Sequence, residues 1–199
     1  MNNKEIIKQL KDSYGKNVRL KHLLQATRNK KFHKVIELGC REGWLLHNIQ
    51  AQEKIGYDLK PRRIFEDIHY IKTNIESLAS NNADLVICSE VIEHIENDEF
   101  VVGIIRNQLK NKGLLFLTTI NKNIKVDKSE QDRRYGHVHR YGEELRTLLE
   151  NSGFKTIDFY GIRSPHYYKY KGNIKNYSII KDRQESIKEA SGWVYIGKK

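Results

Sequence analysis

The sequence predicts an α/β fold: a doubly wound sheet, mostly parallel with an antiparallel last strand, and helices on both faces. Three observations predict it. Short β-branched runs alternate with runs of helical period from Lys34 onward. "DLVICS" is apolar nearly throughout, as a strand covered on both faces must be. The last two strand-like runs, "FKTIDFYGI" and "GWVYIG", have no clear helix between them, which points to an antiparallel pair.

Two helical stretches open the chain, marked by Ile6, Ile7 and Leu10 and then by Leu20, Leu23 and Leu24. "KVIEL" is the first strand. Gly43 to Gln50 reads as a helix with Trp44, Leu45 and Ile49 inside. "KIGYD" and "HYIKTN" are the second and third strands, and "DLVICS" the fourth. Phe100, Val101, Ile104, Ile105 and Leu109 mark a helix that Gly113 is expected to close. "GLLFLTTI" is the fifth strand. Leu145, Leu148 and Leu149 mark a further helix, ended by Gly153, before the final two strands. Pro61 and Pro165 fall in predicted loops. The chain reads as one domain, 1–199, with residues 1–30 as an N-terminal helical lid and 163–191 as an insertion between the last two strands.

The 199 residues suffice for a sizeable single core. No stretch approaches the ~20 apolar residues of a membrane span, and "MNNKEIIKQLKDSYGK" lacks the apolar centre of a signal peptide. Cys40 and Cys88, the only cysteines, read as buried thiols rather than a disulfide, so a cytoplasmic location is expected. Thirty-six Lys and Arg against 25 Asp and Glu give a net charge of +11. That excess suits an anionic partner such as nucleic acid or a phosphorylated metabolite. A Lys- and Asn-rich coding bias accounts for it equally well.

The glycine turn after the first strand, "ELGCREG", excludes two phosphate loops. A G-x-G-x-x-G fingerprint would need glycines at 39, 41 and 44, where the chain has Gly39, Arg41 and Trp44. The G-x-x-x-x-G-K-[ST] loop fails on spacing and on its lysine. What remains is acid-x-G-x-x-x-G, as Glu37, Gly39 and Gly43, and a carboxylate beside the turn suits a cationic ligand. Asp58 closes the second strand, where a carboxylate accepts both hydroxyls of a ribose. Asn74, ending the third strand, can meet an adenine edge. Together they describe a nucleoside bearing an amino acid, S-adenosylmethionine.

"ELGCREG", "GYDLKP", "NADLVICSEVIEHI", "GLLFLTTINKN" and "HVHRYGEELRTLLENSGF" occur in an order that resembles the class I S-adenosylmethionine-dependent methyltransferases, over roughly residues 30 to 160. The resemblance implies a Rossmann-like fold and a cofactor site. In it Glu37 lies near the methionine ammonium, Gly39 and Gly43 bring the turn close, and Asp58 holds the ribose. Leu59, Asn74 and Ile75 contact the adenine, while Ser89 and Glu90 border the methionine end. Arg41 departs from the family's third glycine and must point away from the ligand or redirect the loop.

"SEVIEHIE" places Glu90, Glu93 and His94 on one face if a helical turn follows the fourth strand. Downstream, "YGHVHRY" offers His137 and His139. Glu90, Glu93, His94 and His139 form a candidate site for Mg²⁺ or Mn²⁺. Without a metal, His94, His137 or His139 is a candidate general base; a structural role for the cluster stands beside both. The E-x-x-E-H run is similar to that of ubiquinone-pathway O-methyltransferases and of small-RNA 3′-end 2′-O-methyltransferases.

Residues 160 to 177 interleave five tyrosines with Arg163, Lys169, Lys171 and Lys175, which suits stacking and neutralising an anionic substrate or simply an exposed hairpin. The expected activity is O-methylation of a polar small molecule: a sugar, a nucleotide-linked compound or a natural-product precursor. An RNA 2′-O-methyltransferase and a methyltransferase-like binding protein without turnover are the alternatives. The acceptor and the oligomeric state are not written in the sequence.

Overall fold

A computed structural model describes residues 2–123, 128–162 and 190–199. The tyrosine- and lysine-rich run from Arg163, and all but the end of the expected 163–191 insertion, lie outside the described residues.

Seven strands form one sheet in the order β3-β2-β1-β4-β5-β7-β6. They are β1 (Phe32–Leu38), β2 (Ala51–Asp58), β3 (His69–Lys72), β4 (Ala83–Ser89), β5 (Leu109–Ile120), β6 (Lys155–Ile162) and β7 (Gly192–Lys198). The first five are parallel. β7 slots between β5 and β6, antiparallel to both. The expected last pair is therefore a pair that also closes onto the parallel sheet.

Side chains alternate between two cores with the period of a strand. Ile36, Leu38, Val86, Cys88, Leu115, Leu117, Trp193 and Tyr195 face one side with Val101 and Ile105 of α4 (Asp98–Gln108) and Leu145 and Leu149 of α6 (Glu144–Asn151). Val35, Leu85, Ile87, Phe116, Val194 and Ile196 face the other. They meet residues of α1 (Asn3–Asp12), α2 (Tyr14–Thr27) and α3 (Trp44–His47). Helices thus cover both faces. Cys40 and Cys88 are free and buried. No helix among the described residues is long and apolar enough to cross a membrane.

Two boundaries differ from expectation. α3 is a single turn rather than a helix to Gln50, because Asn48 takes the Trp44 carbonyl through its side chain and ends the ladder. Gly113 does not close α4. That helix stops at Gln108, Leu109 already pairs with Ala83, and the left-handed residue is Lys112 (φ 64°). Gly113 is needed for close approach instead, since a Cβ there would lie 3.0 Å from the Ala83 carbonyl. A further helix, α5 (Lys128–Tyr135), precedes α6 and was not expected, because its run of polar residues carries no apolar stripe.

Candidate functional site

The parallel strands end on one edge of the sheet, and the order reverses between β1 and β4, where a crevice must open. A cavity of about 360 Å³ lies there. Leu38, Gly39 and Arg41 form its centre. Asp58, Leu59, Asn74 and Ile75 line the β2–β3 flank, and Glu90, Val91, His94 and Ile95 the β4 flank.

Left-handed backbone builds the turn: Gly39 has φ 70°, Arg41 φ 45° and Gly43 φ 74°. A Cβ on Gly39 would run into the Val91 side chain, and one on Gly43 would come within 2.6 Å of Ile68. Both glycines are therefore required by packing as well as by conformation. Arg41 takes the same conformation without being glycine. Its N–H donates to Asp58 Oδ2 (2.9 Å), and its side chain, 62% exposed, leans out to Glu42 (Nε to Oε1, 3.1 Å).

Asp58 also accepts the Lys60 N–H on Oδ1 (2.7 Å), so its carboxylate organises two loops at the cavity wall. Asn74 caps the short turn Ile75–Ser77 and donates to Glu76 Oε2 (2.8 Å). Leu59 is 62% exposed, a large apolar side chain facing an open cavity.

Three expected contacts, Glu37, Gly43 and Ser89, fall outside the lining. Glu37 is buried behind the turn, accepting the Leu46 N–H at 3.1 Å, and burial raises its carboxyl to about 8. Ser89 bonds Thr118 (2.8 Å). Glu90, in a left-handed conformation (φ 57°), accepts from Thr118 on Oε1 (3.0 Å) and pairs with Arg19 of α2 on Oε2 (3.2 Å). Arg19 was not singled out from the sequence. Lys16, three residues earlier on α2, reaches Glu42 at 2.6 Å, so α2 presents two cations to this edge.

The shared helical face expected for Glu90, Glu93 and His94 does not form. A 3-10 turn, Ile92–His94, follows β4, and it sends Glu93 inward while Glu90 and His94 stay on the cavity wall. Glu93 is fully buried; Oε2 accepts from Thr119 (2.9 Å) and Oε1 has no partner. Burial, reinforced by Glu90, raises its carboxyl to about 8.

His137, not His139, completes the cluster. Ligand atoms of Glu93, His94 and His137 lie within 4.8 Å of one another, the only such group of three among the described residues. His94 Nδ1 donates to the Gly136 carbonyl (3.1 Å), and its ring stands 5.0 Å from that of His137. His137 Nδ1 lies 3.4 Å from Asp132 Oδ1, short of hydrogen-bond alignment, and burial lowers its basicity. His139 turns away to the Glu96 carbonyl (2.9 Å), and Glu90 stands outside the three-residue group. The backbone explains the choice. Val138 and His139 both donate N–H groups to the Glu93 carbonyl, which docks the loop with His137 facing the turn.

A family model described as a methyltransferase domain matches residues 10–158. The ubiquinone biosynthesis O-methyltransferase of Rickettsia bellii is 42% identical over 109 residues, 46% of this chain and 44% of that protein. The protein of the same name from Haemophilus ducreyi is 32% identical over 112 residues, 47% and 48% of the two chains. The chain thus matches about half the length of these curated relatives. Among solved structures, the N-methyltransferase NodS of Bradyrhizobium japonicum, in complex with S-adenosyl-L-homocysteine, superposes with TM-score 0.68 at 16% identity, over 96% of this chain and 90% of that one. A possible histamine N-methyltransferase of Thermotoga maritima gives 0.67 at 18%, over 90% and 88%. At such identities the likeness is one of fold.

Proposed function

The chain belongs to the methyltransferase-domain family, the class I S-adenosylmethionine-dependent methyltransferases, and from that premise we propose that it methylates a hydroxyl oxygen of a polar small molecule. The observation that carries this is the one cavity with Asp58 on its β2 flank and Glu90 and His94 on its β4 flank. A nucleoside joined to a charged amino acid needs those chemistries, at opposite ends.

In this reading Asp58 accepts the ribose hydroxyls with the lone pairs its two backbone bonds leave. Leu59 and Ile75 flank the adenine. The amino-acid end is zwitterionic, and the Arg19–Glu90 pair offers both complementary charges. Helix α2 then acts as the lid expected of residues 1–30. The cofactor supplies the electrophile: the acceptor oxygen attacks the methyl carbon as the carbon–sulfur bond breaks, leaving a neutral thioether. The protein's task is to align the two and dispose of the hydroxyl proton.

Glu93, His94 and His137 fit a divalent cation. Glu93 Oε1 is buried without a partner, which is costly unless something occupies it. Two imidazoles and one carboxylate suit Mn²⁺ better than Mg²⁺, which prefers oxygen donors. Such a cation would acidify a hydroxyl brought beside it. A second reading rests on His94 itself: a carbonyl only accepts, so Nδ1 carries the hydrogen and Nε2 is left with a lone pair at the cavity wall. Without a metal, that nitrogen takes the proton.

The O-methyltransferase relatives support oxygen as the atom methylated. The charge of +11 keeps RNA as the alternative acceptor. Incubation with cofactor labelled in the methyl group and fractionated extract separates the cases. Label is expected in small molecules; label in RNA would move the reading to the RNA enzymes, and cofactor binding without transfer to a non-catalytic protein.

A further inference from the structure

We propose that Asp132 of α5 is a positioning residue that presets His137 as an Nε2 ligand for the cation held with Glu93 and His94. The inference rests on the cation reading above.

Each member of the trio has an outward neighbour that determines which atom is left for a ligand. Thr119 occupies Glu93 Oε2 and leaves Oε1. The Gly136 carbonyl takes the Nδ1 hydrogen of His94 and leaves Nε2. Asp132 stands 3.4 Å from His137 Nδ1, where its carboxylate favours the tautomer protonated at that nitrogen. The opposite tautomer carries its hydrogen on Nε2 and cannot ligate.

Asp132 is itself held for this role. Its Oδ1 receives Nε (2.9 Å) and Nη2 (2.7 Å) of Arg140, so the carboxylate cannot swing away freely. Its main-chain carbonyl accepts the N–H groups of Gly136 (2.7 Å) and His137 (3.2 Å). The reversal at Gly136 (φ 71°) then turns the chain so that His137 comes back beside the Asp132 side chain and the Gly136 carbonyl meets His94. One turn of backbone thereby serves both imidazoles. α5 carries no apolar stripe, yet its last turn contacts the candidate centre, which gives a polar helix a reason to be placed there.

The test uses the whole chain and Mn²⁺ alone, titrated while the electron paramagnetic resonance signal of free aqueous Mn²⁺ is followed. Asp132→Asn is expected to weaken Mn²⁺ binding by roughly 10–100-fold, the usual cost of losing a carboxylate behind a ligating histidine. Affinity for S-adenosylhomocysteine and Tm should stay unchanged. Arg140→Gln keeps the carboxylate and removes only its brace, so Mn²⁺ affinity should fall clearly less than in Asp132→Asn. Wild-type affinity in Asp132→Asn would overturn the inference, as would an equal loss in both variants, which would show that Asp132 acts by tying Arg140. A wild-type chain that leaves Mn²⁺ free would remove the cation reading itself, and the inference with it.

Discussion

The carboxylate of Asp58, closing β2, accepts the backbone N–H of Arg41, in the middle of the turn that leaves β1. The same group proposed to hold the ribose therefore also holds the turn that lines the cavity. Asp58→Ala removes both. Cofactor affinity should fall by about 1.5–3 kcal/mol, as for lost hydrogen bonds to a charged acceptor, while the sheet stays folded. Calorimetry with S-adenosylhomocysteine measures it, and an unchanged affinity would remove Asp58 from the site.

Arg41 pays a conformational cost at φ 45° that glycine would not. Its side chain leans out to Glu42, so the cofactor should not notice its loss. Arg41→Gly is expected to leave S-adenosylhomocysteine affinity within about 0.6 kcal/mol, roughly threefold. A drop beyond tenfold would show that the guanidinium reaches the bound molecule.

Glu37 makes stability depend on pH. Burial raises its carboxyl from an ordinary value of 4.5 to about 8, against the Leu46 N–H, which pulls the other way. Between those values the folded chain holds a proton that the unfolded chain has lost. Stability should thus fall as pH rises from about 5 to 8, by up to roughly 1.4 kcal/mol per pH unit for one such group. Below pH 4.5 both states are protonated and the dependence vanishes. Glu93, raised likewise, adds to the slope. Glu37→Gln should flatten it in urea melts at pH 5, 6, 7 and 8; an unaltered slope would mean that Glu37 stays ionised in the fold.

Which features could be read from the chain follows from the range of the forces involved. Strand positions followed from local apolar pattern, because residues such as Val35 and Ile36 serve opposite cores in alternation. Asp58, Leu59, Asn74 and Ile75 line the cavity because they lie at or just beyond strand ends, and the strand pattern places those ends at the crevice. Its position in the motif does not say which side of the turn the Glu37 carboxylate takes, and the fold turns it inward to the Leu46 N–H. Arg19 was missed because its partner, Glu90, is distant in sequence and the spacing of α2 singles out no function. His137 and His139 both lie on a loop. Only the docking of Val138 and His139 N–H groups on the Glu93 carbonyl decides between them, and no local pattern encodes that.

Arg19 gives α2 a measurable role. Its guanidinium and Glu90 are both partly buried, at 23% and 32% side-chain exposure, so solvent does not fully screen the pair. Arg19→Ala should weaken S-adenosylhomocysteine binding by about 1–2 kcal/mol through the lost charge-assisted bond to its carboxylate. Decarboxylated S-adenosylmethionine lacks that carboxylate, and its affinity should change much less. Equal losses for both ligands would show that Arg19 only braces Glu90.

His94 distinguishes the two chemical readings, because it lies on the cavity wall and in the three-residue group at once. If a cation works there, chelation should abolish methyl transfer and Mn²⁺ restore it, and Glu93→Gln should be nearly inactive. Glu93 then acts through Oε1, the atom left without a partner, while Thr119 retains a hydrogen-bond acceptor in the glutamine variant. If His94 Nε2 takes the proton directly, chelation should do nothing. His94→Ala should be inactive in both cases, losing the 10²–10⁴-fold usual for a positioned general base or more. His139→Ala should keep its activity, since that ring is turned to the Glu96 carbonyl. Cofactor affinity measured in parallel separates chemistry from binding, and it should hold in all three variants. An active His94→Ala enzyme would reject both readings together and place the reacting oxygen elsewhere in the cavity.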